Sequence, residues 1–168
     1  WGAALYALAA SVSAVMPSYW LYAATLVFTG FAVVTILATA NGVVSTFADI
    51  GDYPMPIYDG DAEARDGVPD NAVKLRALMQ AHQGIFIASP EYNASYTPLL
   101  KNALDWVSRI KDEEAIAVPV YKTRVFALGS ASPGALGGIR SLSAIRCVLE
   151  LGLGALVLPD QIAVPKAH

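Results

Sequence analysis

Charged side chains are missing from the first 48 residues of the chain, because no Asp, Glu, Lys or Arg precedes Asp49. The whole chain of 168 residues carries 11 basic and 14 acidic side chains, which gives a net charge of −3. A nucleic-acid surface needs clustered Lys and Arg, so this balance argues against a nucleic-acid partner. The mean hydropathy of +0.48 is high for a soluble enzyme.

Cysteine and histidine are also scarce. Cys147 is the only cysteine, which excludes an internal disulfide and a metal site built from cysteines alone. It falls in a helical apolar pattern, so we expect a buried structural thiol. His82 and His168 are too few and too far apart for a histidine metal cluster, and His82 is expected to be a structural histidine at the end of a helix. We therefore predict no metal site.

The charge-free segment breaks at Pro17-Ser18 into two apolar runs. The second run, over residues 19–44, reaches the ~20 residues with which a helix crosses the ~30 Å hydrocarbon core of a bilayer. Aromatic residues cluster at the break, as they do at a membrane interface. We predict a hydrophobic helical segment over residues 1–46, whose length suits membrane insertion, and a separate domain over residues 47–168. A buried helical pair in a soluble core fits the segment less well, since neither run has a polar face.

Strand and helix patterns alternate in the second part of the chain, which indicates an α/β fold. The predicted strands are Val43–Asp49, Gly84–Ala88, Thr123–Ser130 and Ala155–Leu158, and the predicted helices span about 69–82, 97–110 and 138–151. The apolar residues of the second strand do not alternate with polar ones, which is typical of a strand buried on both faces of a parallel sheet. Gly51–Pro69 and Lys111–Lys122 are predicted to be loops.

The predicted helix over residues 97–110 has one apolar and one charged face. The apolar stripe, which we expect to face the core, consists of Leu100, Ala103, Leu104 and Val107. On the outer face, Lys101 is placed to pair with Asp105, and Asp105 with Arg109, at i, i+4 spacing. Trp106 is expected to be a packing or subunit-contact residue.

Two polar loops follow neighbouring strands of the predicted sheet. The first, Ser89-Pro90-Glu91-Tyr92-Asn93, offers an aromatic ring with a hydroxyl and an amide that both donates and accepts. The second, Ser130–Gly138, is rich in glycines, which let backbone amides approach a ligand closely. The helix that follows would aim its positive end at the same place. Because ligands of open α/β sheets lie outside the carboxyl ends of the strands, we expect the two loops to share a ligand.

Four sequence blocks in order carry a family resemblance. They are Asp52-Tyr53-Pro54-Met55-Pro56, Ser89-Pro90-Glu91-Tyr92-Asn93, Leu100-Lys101-Asn102-Ala103-Leu104-Asp105-Trp106 and Gly134-Ala135-Leu136-Gly137-Gly138-Ile139-Arg140. From about Ala48 to Ala163 the chain resembles the NADPH-dependent FMN reductase family, which is flavodoxin-like. The resemblance implies a three-layer α/β fold around a parallel sheet of order 2-1-3-4-5. Here the fold would be incomplete, because the first strand–helix unit and the last helix are missing.

The resemblance also assigns a cofactor site. The residues that it places at FMN are Ser89, Pro90, Glu91, Tyr92, Asn93, Ser130, Gly134, Gly137 and Gly138. No catalytic side chain is assigned, since a flavin itself carries the chemistry. The family's phosphate-binding loop, Gly-Ser-x-Arg-x-x-Ser-x-Asn, is not found, and the region where it should fall is the charge-free segment.

The implied function is that of an FMN-dependent NAD(P)H oxidoreductase, which passes hydride from NADPH or NADH through FMN to a small-molecule acceptor such as a quinone. The resemblance further implies a homodimer or homotetramer, and we expect a cytoplasmic enzyme. The alternative is a non-catalytic fragment or fusion remnant that has lost the FMN phosphate site and is tethered to a membrane through residues 1–46.

The amino-terminal segment resembles a different family. Met16-Pro17-Ser18-Tyr19-Trp20, Gly30-Phe31 and Thr39-Ala40-Asn41 are similar to a transmembrane hairpin of a major facilitator superfamily transporter. Three explanations are open for the meeting of two resemblances near residues 41–47: a membrane-tethered reductase, a mis-joined reading frame and an artificial chimera. We favour a join of unrelated pieces. A chain that begins with Trp1 rather than methionine is expected to be a fragment or a processed product.

Overall fold

The computed structural model describes residues 42–110 and 119–167 of the chain. In this part, three parallel strands form one sheet in the order β1-β2-β3: β1 is Gly84–Ala88, β2 is Val125–Ala131 and β3 is Leu156–Val164. All three begin at the same edge, because Gly84 lies opposite Val125 and Val125 lies opposite Leu156. Consecutive parallel neighbours are what the 3-4-5 part of a flavodoxin-like sheet requires.

Five α-helices lie within the described residues: two precede β1, two lie between β1 and β2, and one lies between β2 and β3. They are α1 (Gly60–Asp66), α2 (Asp70–Gln80), α3 (Pro98–Ser108), α4 (Val120–Thr123) and α5 (Ile139–Cys147). A π-helical turn, Val148–Gly152, continues α5. Local signals fix their starts. Thr97 caps α3 by accepting from the amide of Leu100 at 3.2 Å, and Pro98 occupies the first turn, where it sacrifices no hydrogen bond.

The hydrophobic core lies on one face of the sheet. Phe126, Leu128 and Val157 point to this face and are buried. The helices add the buried side chains Leu75, Leu100, Ala103, Leu104, Val107, Val120, Tyr121, Leu142, Ile145 and Leu149. The predicted apolar stripe of α3 is therefore confirmed in full. Trp106 is also buried, with 1% of its surface exposed, which confirms its packing role.

Several predicted element bounds need correction. Val43–Asp49 does not form a strand, since it has no ladder partner within residues 42–110 and 119–167. β-branched residues favour a strand only where a neighbour pairs with the backbone. Gly51–Pro69 is not all loop, since it contains α1, which Asp59 caps through the amides of Asp61 and Ala62. β3 runs six residues beyond the predicted end at Leu158.

Two side-chain predictions are also wrong. Cys147 is exposed, because α5 buries Leu142 and Ile145 and so directs residue 147 away from the core. Arg109 pairs with Glu63, at 2.9 Å, instead of Asp105, since α1 brings a carboxylate to this helix that the sequence pattern had left in a loop. The Lys101–Asp105 pair is confirmed at 2.7 Å.

Some predictions fall where the structure gives no description. The hydrophobic segment over residues 1–46 lies outside the described residues up to residue 41, and so does its likeness to a transporter hairpin. In the described ranges, no helix is both long and apolar enough to cross a membrane. Of the predicted loop Lys111–Lys122, residues 111–118 are outside the described part, and the remainder forms most of α4.

Candidate functional site

The two polar loops meet at the carboxyl ends of β1 and β2, as the sequence predicted. The amide of Ser89 donates to the carbonyl of Gly129 at 3.0 Å, which continues the ladder one residue beyond β1. Ser141, in the first turn of α5, has its hydroxyl 3.3 Å from the carbonyl oxygen of Pro90. The chain after β1 is therefore held against the helix that follows β2.

A tight turn stands at the tip of the first loop. The amide of Tyr92 donates to the carbonyl of Ser95 at 2.8 Å, and the amide of Ser95 donates back at 3.0 Å. The two residues between them, Asn93 and Ala94, have φ of 50° and 66°. Two successive left-handed residues define a type I′ turn, which Asn tolerates and Ala does not favour. The turn leaves Tyr92 42% exposed at the rim of the sheet.

The carboxylate of Glu91 lies at the start of α5. It accepts from Arg140 Nε at 2.8 Å and from the terminal nitrogen of the same guanidinium, and it also accepts from the backbone amides of Arg140 (3.2 Å) and Ser141 (3.4 Å). The Glu91 side chain is only 6% exposed. The hydrogen bond from Arg140 is the main reason why the pKa of Glu91 is lowered. Glu91 thus caps a helix whose own N-cap, Gly138, has no side chain.

This capping changes the expected role of α5. The sequence predicted that the positive end of the helix would face a ligand, but the structure gives that place to the Glu91 carboxylate. A carboxylate in this position satisfies amides that are otherwise orphaned and interacts favourably with the helix dipole. The first amides of α5 are therefore not available to a phosphate in this arrangement.

The glycine loop after β2 packs tightly against its surroundings. Gly137 and Gly138 have φ of 58° and 84°, and both are buried. A Cβ on Gly138 would overlap the hydroxyl of Ser130 and lie 2.7 Å from its Cβ, and one on Gly137 would lie 2.7 Å from the nitrogen of Pro165. These two glycines are required by the packing of the loop itself. Gly134, by contrast, is exposed and has room for a side chain.

Ser130 carries an unsatisfied polar atom. Its hydroxyl is buried and has no hydrogen-bond partner in the described part of the chain. Leaving a buried hydroxyl unpaired costs about 1–3 kcal/mol, so such a group calls for a partner. Ser130 packs against Gly138, and a Cβ added to Gly138 would also lie 3.7 Å from Glu91 Cβ. The orphaned hydroxyl is thus located where the two loops meet.

The nine predicted site residues therefore fall into three positions. Ser89, Pro90, Glu91, Ser130, Gly137 and Gly138 form the packed junction of the two loops. Tyr92 and Asn93 stand on the exposed turn, and Gly134 lies exposed at the outer part of the second loop. Arg140 and Ser141 are not among the predicted site residues, although Arg140 is the last residue of the fourth family block.

The first family block, Asp52–Pro56, is bonded to the third, Leu100–Trp106, which lies within α3. Asn102 donates to the carbonyl of Pro56 at 2.9 Å and accepts from the amide of Tyr58 at 2.8 Å. One turn later, the indole nitrogen of Trp106 donates to the same Pro56 carbonyl at 2.7 Å. Because these side chains are four residues apart, they share one face of the helix. They fix the segment before α1 on the outside of α3.

Metal-binding side chains do not gather in residues 42–110 and 119–167, where no three His, Cys, Asp or Glu side chains are grouped in a way that holds an ion. His82 has a structural role, as predicted: its ring nitrogens lie 2.8 Å from the Leu78 carbonyl and 2.8 Å from Thr46 Oγ1.

A parallel sheet with two polar loops at adjacent strand ends is the arrangement of doubly wound α/β proteins, a class that includes the flavodoxin-like fold. The chain matches the NADPH-dependent FMN reductase family over residues 28–168, and it belongs to that family. The match begins upstream of Ala48, the predicted start of the resemblance, and so includes residues 28–46 of the segment that was predicted to be separate. The transporter likeness of this segment has no support in the comparisons.

Curated relatives and a solved structure agree with this assignment. A quinone reductase of Escherichia coli strain K12 is 33% identical over 122 residues, which cover 73% of this chain and 60% of that protein. The "Probable NADPH:quinone oxidoreductase 2" of Oryza sativa subsp. japonica is 40% identical over 107 residues, which cover 64% of this chain and 48% of the relative. The chain thus spans about half to three fifths of the length of these relatives.

The solved structure of FerB, a flavoenzyme NAD(P)H:(acceptor) oxidoreductase from Paracoccus denitrificans, is similar to this chain with a TM-score of 0.65 and 25% identity. The similarity covers 81% of this chain and 70% of that one. The parallel sheet of the chain is therefore flavodoxin-like, as the sequence predicted.

Proposed function

We propose that this chain provides the ring-binding part of an FMN-dependent NAD(P)H oxidoreductase whose acceptor is a quinone-type small molecule. The observation that carries the proposal is the orphaned Ser130 hydroxyl at the junction of the two loops. Family membership and the names of the relatives support the same assignment. FMN, when bound, supplies the electron-transfer chemistry, and the protein supplies its binding and orientation.

Each loop would contribute differently to FMN. Tyr92 and Asn93 offer a ring and an amide at the rim, and Ser130 offers a hydroxyl that has no hydrogen-bond partner among the described residues. Ser89, Pro90, Gly134, Gly137 and Gly138 complete the proposed set as backbone. Glu91 is fully engaged with Arg140 and α5, so it would act by positioning the Pro90–Asn93 backbone.

The phosphate of FMN needs a different holder. The start of α5 is bonded to Glu91, and the family's phosphate loop is absent from the sequence. The division at residues 46 and 47, and the loss of the first strand–helix unit and the last helix, stay predictions. The missing phosphate-loop motif and the charge-free segment favour a second candidate function, in which the chain is a non-catalytic remnant that no longer binds FMN.

The remaining parts of the proposal are the co-substrate, assembly and location. We propose NADPH or NADH as electron donor, a homodimer or homotetramer, and the cytoplasm. The alternative location is a membrane, to which the non-catalytic remnant would be tethered through residues 1–46.

A titration of the purified chain with FMN, followed by quenching of flavin fluorescence, tests the proposal. We expect saturable binding, followed by NAD(P)H oxidation when a quinone is added. Ser130→Ala should weaken FMN binding about five- to tenfold, since one hydrogen bond contributes about 1 kcal/mol. Ser143→Ala is the matched control, because that exposed hydroxyl bonds only within α5. A chain that does not bind FMN would support the remnant instead.

A further inference from the structure

Two buried side-chain atoms lack a hydrogen-bond partner in the part of the chain that the structure describes. They are the hydroxyl oxygen of Ser130 on β2 and the carboxamide oxygen of Gln161 on β3. Buried polar atoms are normally bonded to protein groups or to ordered water, because an unpaired one destabilises the fold. Ser130 belongs to the candidate ligand site, whereas Gln161 lies outside the set of predicted site residues.

The two residues are diagonal neighbours on the same face of the sheet. Gln161 lies opposite Leu128 in the ladder, and Ser130 follows two residues after Leu128 on β2. Residues that are paired across a parallel ladder, or two apart on one strand, point to the same side. That side is the core, since Leu128 is 1% exposed. The spacing of strands and the rise along them place the Cα atoms of Ser130 and Gln161 about 8 Å apart.

A bulge in β3 brings Gln161 to this position. Just before the pair Leu128–Gln161, β2 advances by two residues while β3 advances by four, so β3 carries two extra residues. In a regular ladder, Pro159 would lie opposite Leu128. Helix α5 supports the bulge, because the Arg146 guanidinium donates to the carbonyl of Leu158 at 2.7 Å. Bulges redirect side chains and are common next to functional sites. This one places a carboxamide where a regular strand would place a proline.

The other buried hydroxyls of the loop junction are already engaged. Ser89 donates to the carbonyl of Pro90 at 3.1 Å, and Ser141 donates to the same carbonyl at 3.3 Å. Ser130 and Gln161 are not bonded to each other, since neither atom has a partner among the described residues. A water molecule between them has two protons, one for each of these oxygens, and ordered waters of this kind commonly satisfy buried polar groups.

We propose that one buried water bridges the Gln161 carboxamide and the Ser130 hydroxyl. The water donates to both oxygens and so leaves the proton of Ser130 free to be donated to an acceptor atom of a bound ligand. Gln161 is then a positioning residue, which acts on the ligand through the water and Ser130. The water site does not depend on FMN, whereas the positioning role rests on the proposed function.

Chemical unfolding without cofactor tests the water bridge in the full chain. Gln161→Met keeps the length of the side chain but removes its polar atoms. Gln161→Met and Ser130→Ala should each lower the denaturation midpoint, and the double variant should lower it by less than the sum, because either substitution alone breaks the bridge. Gln80→Met, at an exposed position at the end of α2, is the matched control and should leave the midpoint unchanged. Additive losses, or a higher midpoint for Gln161→Met, would overturn the proposal.

A high-resolution crystal structure of the full chain gives a direct observation. It should contain an ordered water within about 3.2 Å of both the Ser130 hydroxyl and the Gln161 carboxamide oxygen. The Gln161→Met protein should lack this water. A Gln161 side chain that is bonded instead to another protein group, or directly to a ligand atom, would show that the bridge does not exist.

Titration with FMN tests the positioning role. Gln161→Met should weaken FMN binding about two- to fivefold and should have no further effect in a chain that already carries Ser130→Ala. Gln80→Met should bind FMN as the wild type does. Unchanged affinity in Gln161→Met would overturn the positioning role. If the wild-type chain itself does not bind FMN, the positioning role fails together with the proposed function, while the unfolding and crystallographic measurements still decide the water site.

Discussion

Glu91 and Arg140 are 49 residues apart in the chain, yet the carboxylate of the first holds both the guanidinium and the backbone amide of the second. The contact joins the loop after β1 to the helix after β2. It neutralises the positive end of that helix and, in the same interaction, fixes the backbone on either side of Pro90. One side chain thus sets the relative position of the two candidate ligand loops.

Replacing this carboxylate by an amide should loosen the junction. Glu91→Gln keeps the shape but loses the charge at the start of α5, and we expect a loss of about 1–2 kcal/mol in the free energy of unfolding. Chemical denaturation measures it. Glu150→Gln is the control, since that carboxylate pairs with Arg146 at the helix surface and should contribute less than about 0.5 kcal/mol. Equal losses would show that Glu91 is an ordinary surface partner.

The stability of the Glu91 contact should depend on pH in one direction. Arg140 holds the pKa of Glu91 below its ordinary value of 4.5. The advantage of the wild-type chain over Glu91→Gln is therefore complete above that ordinary value and is lost as the pH falls through the lower pKa of the folded state. Unfolding free energies of both proteins, measured from neutral pH to about pH 3, should converge at the acid end. Curves that stay parallel throughout would contradict the assignment.

The close approach of Gly138 to Ser130 should make this glycine hard to replace. Gly138→Ala adds a Cβ that overlaps the Ser130 hydroxyl and forces alanine to φ of 84°, which together should cost about 2–4 kcal/mol. Thermal or chemical unfolding reports the loss. Gly134→Ala is the control and should change stability by less than about 0.5 kcal/mol, because its Cβ meets only Ser132 Oγ, at 3.4 Å.

A double variant separates the two causes of that loss. Ser130→Gly removes the atoms that the new Cβ would strike, so Gly138→Ala should cost less in its presence than alone. The part that remains is the cost of the left-handed backbone. If the two substitutions were simply additive, steric contact with Ser130 would not be the reason for the glycine.

The turn at the tip of the first loop contains an alanine in a strained conformation. Ala94→Gly should stabilise the protein by about 0.5–1 kcal/mol, because glycine adopts φ of 66° without the penalty that a Cβ imposes. Ala81→Gly is the matched control: this exposed residue has φ of −70° at the end of α2, and its replacement should destabilise by a similar amount. Changes of the same sign in both variants would argue against strain at residue 94.

The Asn102 side chain should contribute more to the free energy of unfolding than an ordinary exposed amide side chain does. Asn102→Ala leaves the amide of Tyr58 without its acceptor and weakens the hold on Pro56, at a cost of about 1–3 kcal/mol in unfolding free energy. Asn71→Ala also removes a bond to a backbone carbonyl, that of Pro54, but at an exposed position, and should cost less than about 1 kcal/mol. Hydrogen exchange at the Tyr58 amide, which should accelerate only in the first variant, identifies the cause.

The parts of the fold that the sequence predicted are those encoded locally. β1 has the predicted bounds, and the four apolar residues of α3 are buried, because a helix period of 3.6 directs them to one side. The loops at the ends of β1 and β2 were also predicted, since parallel strands bring their carboxyl ends to one edge. Neither inference requires knowledge of distant contacts.

The predictions that failed depended on contacts that a local pattern does not encode. Val43–Asp49 has strand-forming residues but no strand beside it in the part of the chain that the structure describes. Arg109 has an acidic neighbour four residues before it, but α1 brings Glu63 into a better position. The hydrogen bonds from the first amides of α5 to Glu91 follow from the packing of two loops. The sequence of either loop alone does not predict them. The assignment of nine residues to FMN remains a prediction of the family resemblance.

Backbone hydrogen bonds also connect the glycine loop to the end of β3 and to the residues that follow it. Ser132 donates to the carbonyl of Val164 at 3.1 Å, while the amides of Lys166 and Ala167 donate to Gly134 and Ser132, each at 3.1 Å. Residues 164–167 are therefore part of the scaffold of the second ligand loop, and a change that displaces them should also displace that loop.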